Sequence, residues 1–154
     1  MTEKEYVKIL FFVDSNDWHG YETERLWASK TDKIDEYILE NAPFFVRDMS
    51  FGDVVSVRHE GEALLFDKLI RRGGHSTYRL IPVRRDGLLI SLEPVLEFLK
   101  KEGCSFESGL VGNMPVIVVD VPPHVSADRC YEEILRQDKM GLINFEVAHD
   151  GHLS

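Results

Sequence analysis

Pro115-Val116-Ile117-Val118-Val119-Asp120-Val121 carries five valine or isoleucine residues in seven positions, with only Asp120 charged. A β-branched run that is apolar without alternation predicts a strand buried on both faces. Pro122-Pro123 ends it, and Val111-Gly112-Asn113 turns the chain before it. On the near side, Cys104 to Gly109 alternates as a second strand. Before that, Leu92, Val95, Leu96 and Leu99 recur at i, i+3, i+4 and i+7, which predicts a helix capped by Ser91, with Pro94 in its first turn and Gly103 at its end. On the far side, Ser126 caps a helix whose Ala127, Cys130, Tyr131, Ile134 and Leu135 share a face. Gly141 stops it before a last strand, Leu142 to Val147. With Ser76 to Val83 as first member the order is β-α-β-β-α-β, the ferredoxin-like arrangement. There the first and third strands are central, and here those are the two most apolar, Tyr78 to Val83 and Val116 to Val121.

The grammar upstream of Val83 has period 2. Tyr6 to Val13, Tyr21 to Ala28, Ile34 to Leu39, Val54 to Arg58 and Ala63 to Ile70 are short β-branched or aromatic runs separated by Asp, Asn, Gly and Pro. They predict an antiparallel β meander or small barrel. The whole reads as one α+β domain, 1–154, with a β-rich half at 1–75, a ferredoxin-like half at 76–148 and a polar tail at 149–154 that frays. The two halves are expected to share the Ser76 to Val83 strand, with Arg84-Arg85-Asp86-Gly87 a short linker.

A chain of 154 residues with 44% hydrophobic and 29% charged residues is in the globular range, and no apolar run is long enough to span a membrane. Met1-Thr2-Glu3-Lys4-Glu5 does not open a secretion signal, which predicts a cytoplasmic protein. Cys104 and Cys130 read as a reduced, core-facing pair. The net charge is -9, unevenly spread. Residues 1–53 carry 6 basic and 12 acidic groups, residues 54–85 carry 7 and 3, and residues 86–154 carry 5 and 12. Such a chain repels nucleic acid and steers basic partners toward itself.

Chemical motifs are mostly missing. No G-x-G-x-x-G, P-loop, H-E-x-x-H or C-x-x-C is present, and the Asp14 to Gly20 loop lacks the spacing of a calcium site, so neither metal nor organic cofactor is expected. Two places invite function. In Gly73-Gly74-His75-Ser76-Thr77-Tyr78-Arg79, His75, Ser76, Thr77 and Arg79 could together grip a small anion, as an enzyme or sensor would. The alternative is a hairpin turn in which Arg79 pairs with Asp53 or Glu24. Around the first turn, Asp14, Asp17, Trp18, Tyr21 and Glu22 combine exposed aromatic area with carboxylates, the composition of a protein-binding site. Trp27, Phe44, Phe45 and Phe51 read as core.

Glu24-Arg25-Leu26-Trp27-Ala28, Asn41-Ala42-Pro43-Phe44-Phe45, Gly52-Asp53-Val54-Val55 and Gly74-His75-Ser76-Thr77-Tyr78-Arg79 together resemble a bacterial family, domain of unknown function 4265, over roughly Tyr21 to Val147. Ile38-Leu39-Glu40 departs from its pattern. The resemblance implies a small cytosolic protein with no established activity, some of whose relatives accompany secreted toxins as immunity proteins. It carries over no catalytic residue. The function expected is therefore a non-enzymatic acidic protein, monomeric or in a 1:1 complex, that binds a basic partner such as a toxin domain and neither nucleic acid nor membrane.

Overall fold

The computed structural model describes residues 4–152. Five strands come first: β1 (Tyr6–Phe12), β2 (Thr23–Lys30), β3 (Glu36–Leu39), β4 (Val54–Glu60) and β5 (Ala63–Arg71). Each pairs antiparallel with the next. In a five-strand meander the first and last strands run the same way, so closure needs a parallel pair. β1 and β5 supply it through Ile9 with Leu64 and Leu10 with Leu65, and the sheet is a closed barrel. Alternation fills it: Ile9, Phe11, Leu26, Ala28, Leu39, Val55 and Val57 are buried inside, and the β3–β4 connection adds Val46 and Met49.

The same alternation corrects one expectation. Leu26 and Ala28 point inward, so Trp27 between them points out and is 47% exposed. Phe44, Phe45 and Phe51 are half-buried between the parts of the fold.

β6 (Ser76–Pro82) opens the second half, followed by a short hairpin of β7 (Arg84–Arg85) and β8 (Leu88–Leu89), α1 (Glu93–Glu102), β9 (Ser105–Val111), β10 (Met114–Val121), α2 (Ala127–Lys139) and β11 (Ile143–His149). Their sheet has the order β11-β6-β10-β9 and is antiparallel throughout. β6 and β10 are central, as their apolar character requires. Tyr78, Leu80, Val119 and Val121 pack on one face against Val95 and Leu99 of α1 and Cys130 and Ile134 of α2. Val116 and Val118 face the other way, with Ala42 and half-buried Phe44, toward the barrel. The central strands are thus covered on both faces.

Ser126 caps α2 by accepting from the Arg129 N–H at 3.2 Å. Ser91 acts one residue earlier than expected on α1, whose N-cap is Leu92, by accepting from the Glu93 N–H at 3.1 Å. The Cys104 and Cys130 thiols are free, buried and 3.6 Å apart.

Three expectations change. The halves share no strand: β6 pairs only with β10 and β11, and the barrel closes on itself. Arg84 to Gly87 is not a linker, because Asp86 and Gly87, both at positive φ, make the two-residue turn between β7 and β8. The tail is tied down as far as His152: His149 belongs to β11, and the Ser76 hydroxyl donates to Asp150 at 3.2 Å and accepts from the Gly151 N–H at 3.0 Å. Residues 153 and 154 of the expected frayed tail lie outside the described residues.

Val118 is fully buried in a central strand. Val118→Asp should destabilise the fold by about 4 kcal/mol or more, since a buried carboxylate there would find only its cross-strand neighbour Arg79, whose guanidinium is already committed to Glu146 and two carbonyls. Urea unfolding measures this, with Val118→Ala expected to cost distinctly less.

Candidate functional site

Arg79 stands in the middle of β6 with its side chain wholly buried. It stands off the barrel-facing side of the sheet toward the β3–β4 connection, where Nε donates to the Pro43 carbonyl at 3.3 Å and Nη2 donates to the Val46 carbonyl. Nη1 donates to Glu146 of β11 at 2.7 Å. Burial pulls the Arg79 pKa down and Glu146 acts against it, yet a guanidinium keeps its charge in a protein. From the barrel side, the Glu24 carboxylate accepts from the N–H groups of Phe44, Phe45 and Val46 at 2.7, 2.9 and 2.9 Å. The segment Pro43 to Val46 is therefore gripped by an anion at its amides and by a cation at its carbonyls. Arg79 pairs directly with neither Asp53 nor Glu24. Asp53, fully buried, instead accepts from the N–H groups of Ser50 and Gly73 and from Arg72.

The charged chain continues outward. Glu146 accepts from Arg47 Nη2 and from the Trp18 indole N–H, each at 3.1 Å. Arg47 grips Asp17 through Nε at 2.7 Å and Nη2 at 3.0 Å, and holds the Asp17 carboxyl down at about 2. Asp17 is thus neutralised within the molecule, whereas Asp14 and Glu22 are exposed. This network fixes the β1–β2 turn. Phe45 lies beneath it, stacked on Tyr21 at 4.7 Å between ring centroids and touched edge-on by Trp18 at 6.2 Å.

Trp18 and Tyr21 are 37% and 45% exposed. With Val111, Gly112 and Met114 from the β9–β10 turn they line a groove of 380 Å³. His19 closes its floor: Nδ1 accepts from the Tyr21 N–H at 2.9 Å, so Nε2 carries the proton, buried and without a hydrogen-bond partner. Four of the five sequence-predicted partner residues thus surround one turn in exposed positions, and the fifth, Asp17, anchors it.

The other predicted constellation does not converge. Alternation along β6 turns Ser76 and Thr77 to opposite faces, both fully buried. The Ser76 hydroxyl is 2.6 Å from His152 Nδ1, and Thr77 is 2.6 Å from the Ser50 hydroxyl, which also meets His149 Nδ1 at 2.8 Å. His75 pairs with Asp120 at 2.8 Å. These groups dock the C-terminal segment and the β3–β4 connection rather than framing a common cavity. Sequence reading missed Arg47 and Glu146 and named Glu24 only as a partner for Arg79; the available signal for Glu146 was a lone charge inside a largely apolar strand.

Among the described residues no cluster of three or more His, Cys, Asp or Glu is placed to hold a metal ion, and no helix is long and apolar enough to cross a membrane. The arrangement defines an α+β protein in which a closed barrel and a two-helix antiparallel sheet are joined by buried charge and present an aromatic turn. The chain belongs to the family described as Domain of unknown function (DUF4265), whose profile matches residues 24–145. Its structure is similar to that of a hypothetical protein from Neisseria gonorrhoeae, with a TM-score of 0.71 and 16% identity over 98% of each chain, a likeness of fold. A search of curated proteins finds no match.

Arg79→Met should cost about 3 kcal/mol or more in urea unfolding, because it removes one of the two cations that Glu146 meets and leaves the Pro43 and Val46 carbonyls without their donor. Acid should act in two steps. Burial and nearby Arg72 lower the His149 pKa, so below its ordinary 6.5 the unfolded chain binds a proton the folded one resists, and stability falls. Asp17 contributes stability that is present above its ordinary 3.8 and lost as pH drops through about 2. Thermal melting from pH 8 downward should show both, with His149→Gln removing only the upper one.

Proposed function

We propose that this chain is a non-enzymatic binding protein for a basic protein partner, in concrete terms an immunity protein that occludes the active site of a cognate toxin domain in the cytoplasm, as a monomer that forms a 1:1 complex. The observation that carries this reading is the Trp18–Tyr21 turn: two aromatic side chains held half out of the surface by the Asp17–Arg47–Glu146 network, beside a groove and close in sequence to the exposed carboxylates Asp14 and Glu22. Rigid aromatics lose little entropy on binding and suit the desolvated centre of an interface. A net charge of -9 suits steering of a cation from a distance. The β-α-β-β-α-β half is read as ferredoxin-like on its strand order, and in this reading it serves as the platform against which the turn is held. An anion-binding role for His75, Ser76, Thr77 and Arg79 is the weaker reading, because three of the four side chains are fully buried and already hydrogen-bonded within the chain.

The test is kinetic. The product of the adjoining reading frame, expressed as an inactive variant, is the partner to try. Raising salt to about 0.5 M should slow association far more than it speeds dissociation, since screening acts on encounter. Trp18→Ala should speed dissociation by roughly tenfold or more, the loss of a central aromatic. An acidic partner, a salt-independent on-rate, or turnover of a nucleotide or sugar phosphate that His75→Ala abolishes would refute the reading.

A further inference from the structure

β9 is the end strand of its sheet, and among the described residues nothing pairs with its outer side. The opposite edge is different: β11 is met by the Asp48 N–H, which donates to the Ala148 carbonyl at 3.1 Å, and by Trp18, which donates to Glu146. The barrel, being closed, has no edge. An uncovered edge strand is a template for another extended chain.

Pairing with β10 sets which way each β9 side chain points. Glu107 opposes Val118 and Gly109 opposes Val116, so Glu107, Gly109 and Val111 share the barrel-facing side, while Phe106 and Leu110 take the other. Phe106 and Leu110 are exposed, Leu110 by 70%. On the barrel-facing side two grooves flank the strand. At the Val111 end is the one lined by Trp18 and Tyr21. At the Glu107 end is a groove of 370 Å³ walled by Tyr6 and Trp27, with Glu40 and Asn41. Between them the strand lies close over Phe44, where a side chain at Gly109 would sit 3.1 Å from the ring. Glu107 to Val111 spans about 14 Å of extended chain. The exposed edge is thus bordered along its length by aromatic side chains.

The Glu107 groove is acidic, with two carboxylates, Glu40 and Glu107, among its lining residues. Lys8 already places its ammonium 4.7 Å from the centre of the Trp27 ring, and Lys4 reaches Glu40 at 3.4 Å. Glu107 itself has no ion pair among the described residues, and partial burial raises its pKa. A second copy of this chain is a poor occupant, since two molecules of net charge -9 repel.

We propose that an extended basic segment of the partner adds to β9 as a fifth strand, placing a lysine or arginine side chain against Glu107 beside Trp27. This rests on the basic-partner reading above and specifies how the partner is held: main-chain hydrogen bonds along the edge, a cation in one groove and an apolar side chain at Phe106 and Leu110.

The probe is a capped seven-residue peptide alternating lysine and valine, with its glutamate-for-lysine counterpart as control, added at about 1 mM to the full isotope-labelled chain. The expected result is amide shifts along 105–111 and at the Trp27 indole, slowed exchange of β9 amides and no response to the glutamate peptide. Glu107→Lys should weaken binding by roughly tenfold with an unchanged melting temperature. Leu110→Ser, at a side chain that is 70% exposed, should weaken it as well. Shifts confined to the Trp18–Tyr21 turn would overturn strand addition while leaving the basic-partner reading standing. Equal response to both peptides, or none, would overturn strand addition, and the kinetic test on the whole partner would then decide the broader reading by itself.

Discussion

A guanidinium with no access to water sets the terms for this fold. Arg79 sits in a central strand, where an uncompensated charge would be costly, and it is stable there only because Glu146 and the carbonyls of Pro43 and Val46 converge on it. Two of those three acceptors lie in the β3–β4 connection, so the sheet cannot keep Arg79 in place unless the barrel is docked. Conversely, Pro43 to Val46 has no regular structure of its own, and its amides are satisfied by Glu24 from the barrel. The two halves have separate apolar cores, yet each leaves polar groups that only the other can complete. That mutual dependence is what makes one unit of a barrel and a sheet that share no strand.

The elements were legible in the sequence to the extent that they are local. Helix periodicity around Leu92 to Leu99, the Ser126 cap and the continuous apolar run of β10 are each properties of a few adjacent residues, and the structure has them where the residues place them. What pairs with what at long range was less legible. Parallel closure of β1 on β5 follows from strand count, but the count was open in a region of short, irregular runs. Trp27 read as core because aromatics usually are, while its neighbours Leu26 and Ala28 had already claimed the interior by alternation. The Asp86-Gly87 turn was readable and was passed over because the hairpin it closes has only two residues on each side.

The candidate site was half legible for the same reason. Trp18, Tyr21, Asp14 and Glu22 could be named from composition around one turn. Arg47, 30 positions away from Asp17, and Glu146, 99 from Arg47, could not, since nothing local links them. His75, Ser76 and Thr77 misled in the opposite direction. Polar residues after paired glycines suggest a cradle for a ligand, but here the glycines serve the chain itself. A side chain at Gly73 would lie 2.5 Å from the Gly52 carbonyl oxygen, and one at Gly151 would lie 2.1 Å from that of His75. Three segments cross so closely that backbone approaches backbone, and the hydroxyls and imidazoles beside them are the polar filling of that crossing.

Charge is therefore used in two ways in this molecule, and burial separates them. Asp53, Arg79 and, through Arg47, Asp17 are consumed internally; their fields are cancelled within a few ångströms by a partner on the same chain. Among the described residues Asp14, Glu22 and Glu107 have no ion pair, and each lies beside an exposed aromatic side chain, Phe12, Tyr21 and Trp27 respectively. A uniformly acidic surface would serve solubility alone. A carboxylate such as Glu107, set in an aromatic groove on an open strand, adds attraction at long range to contact area at short range, and the Arg79 seam holds that groove in register with the strand. Flexibility between barrel and sheet would separate Trp18 from Val111 and Trp27 from Glu107, and the bordered edge would cease to exist as one surface.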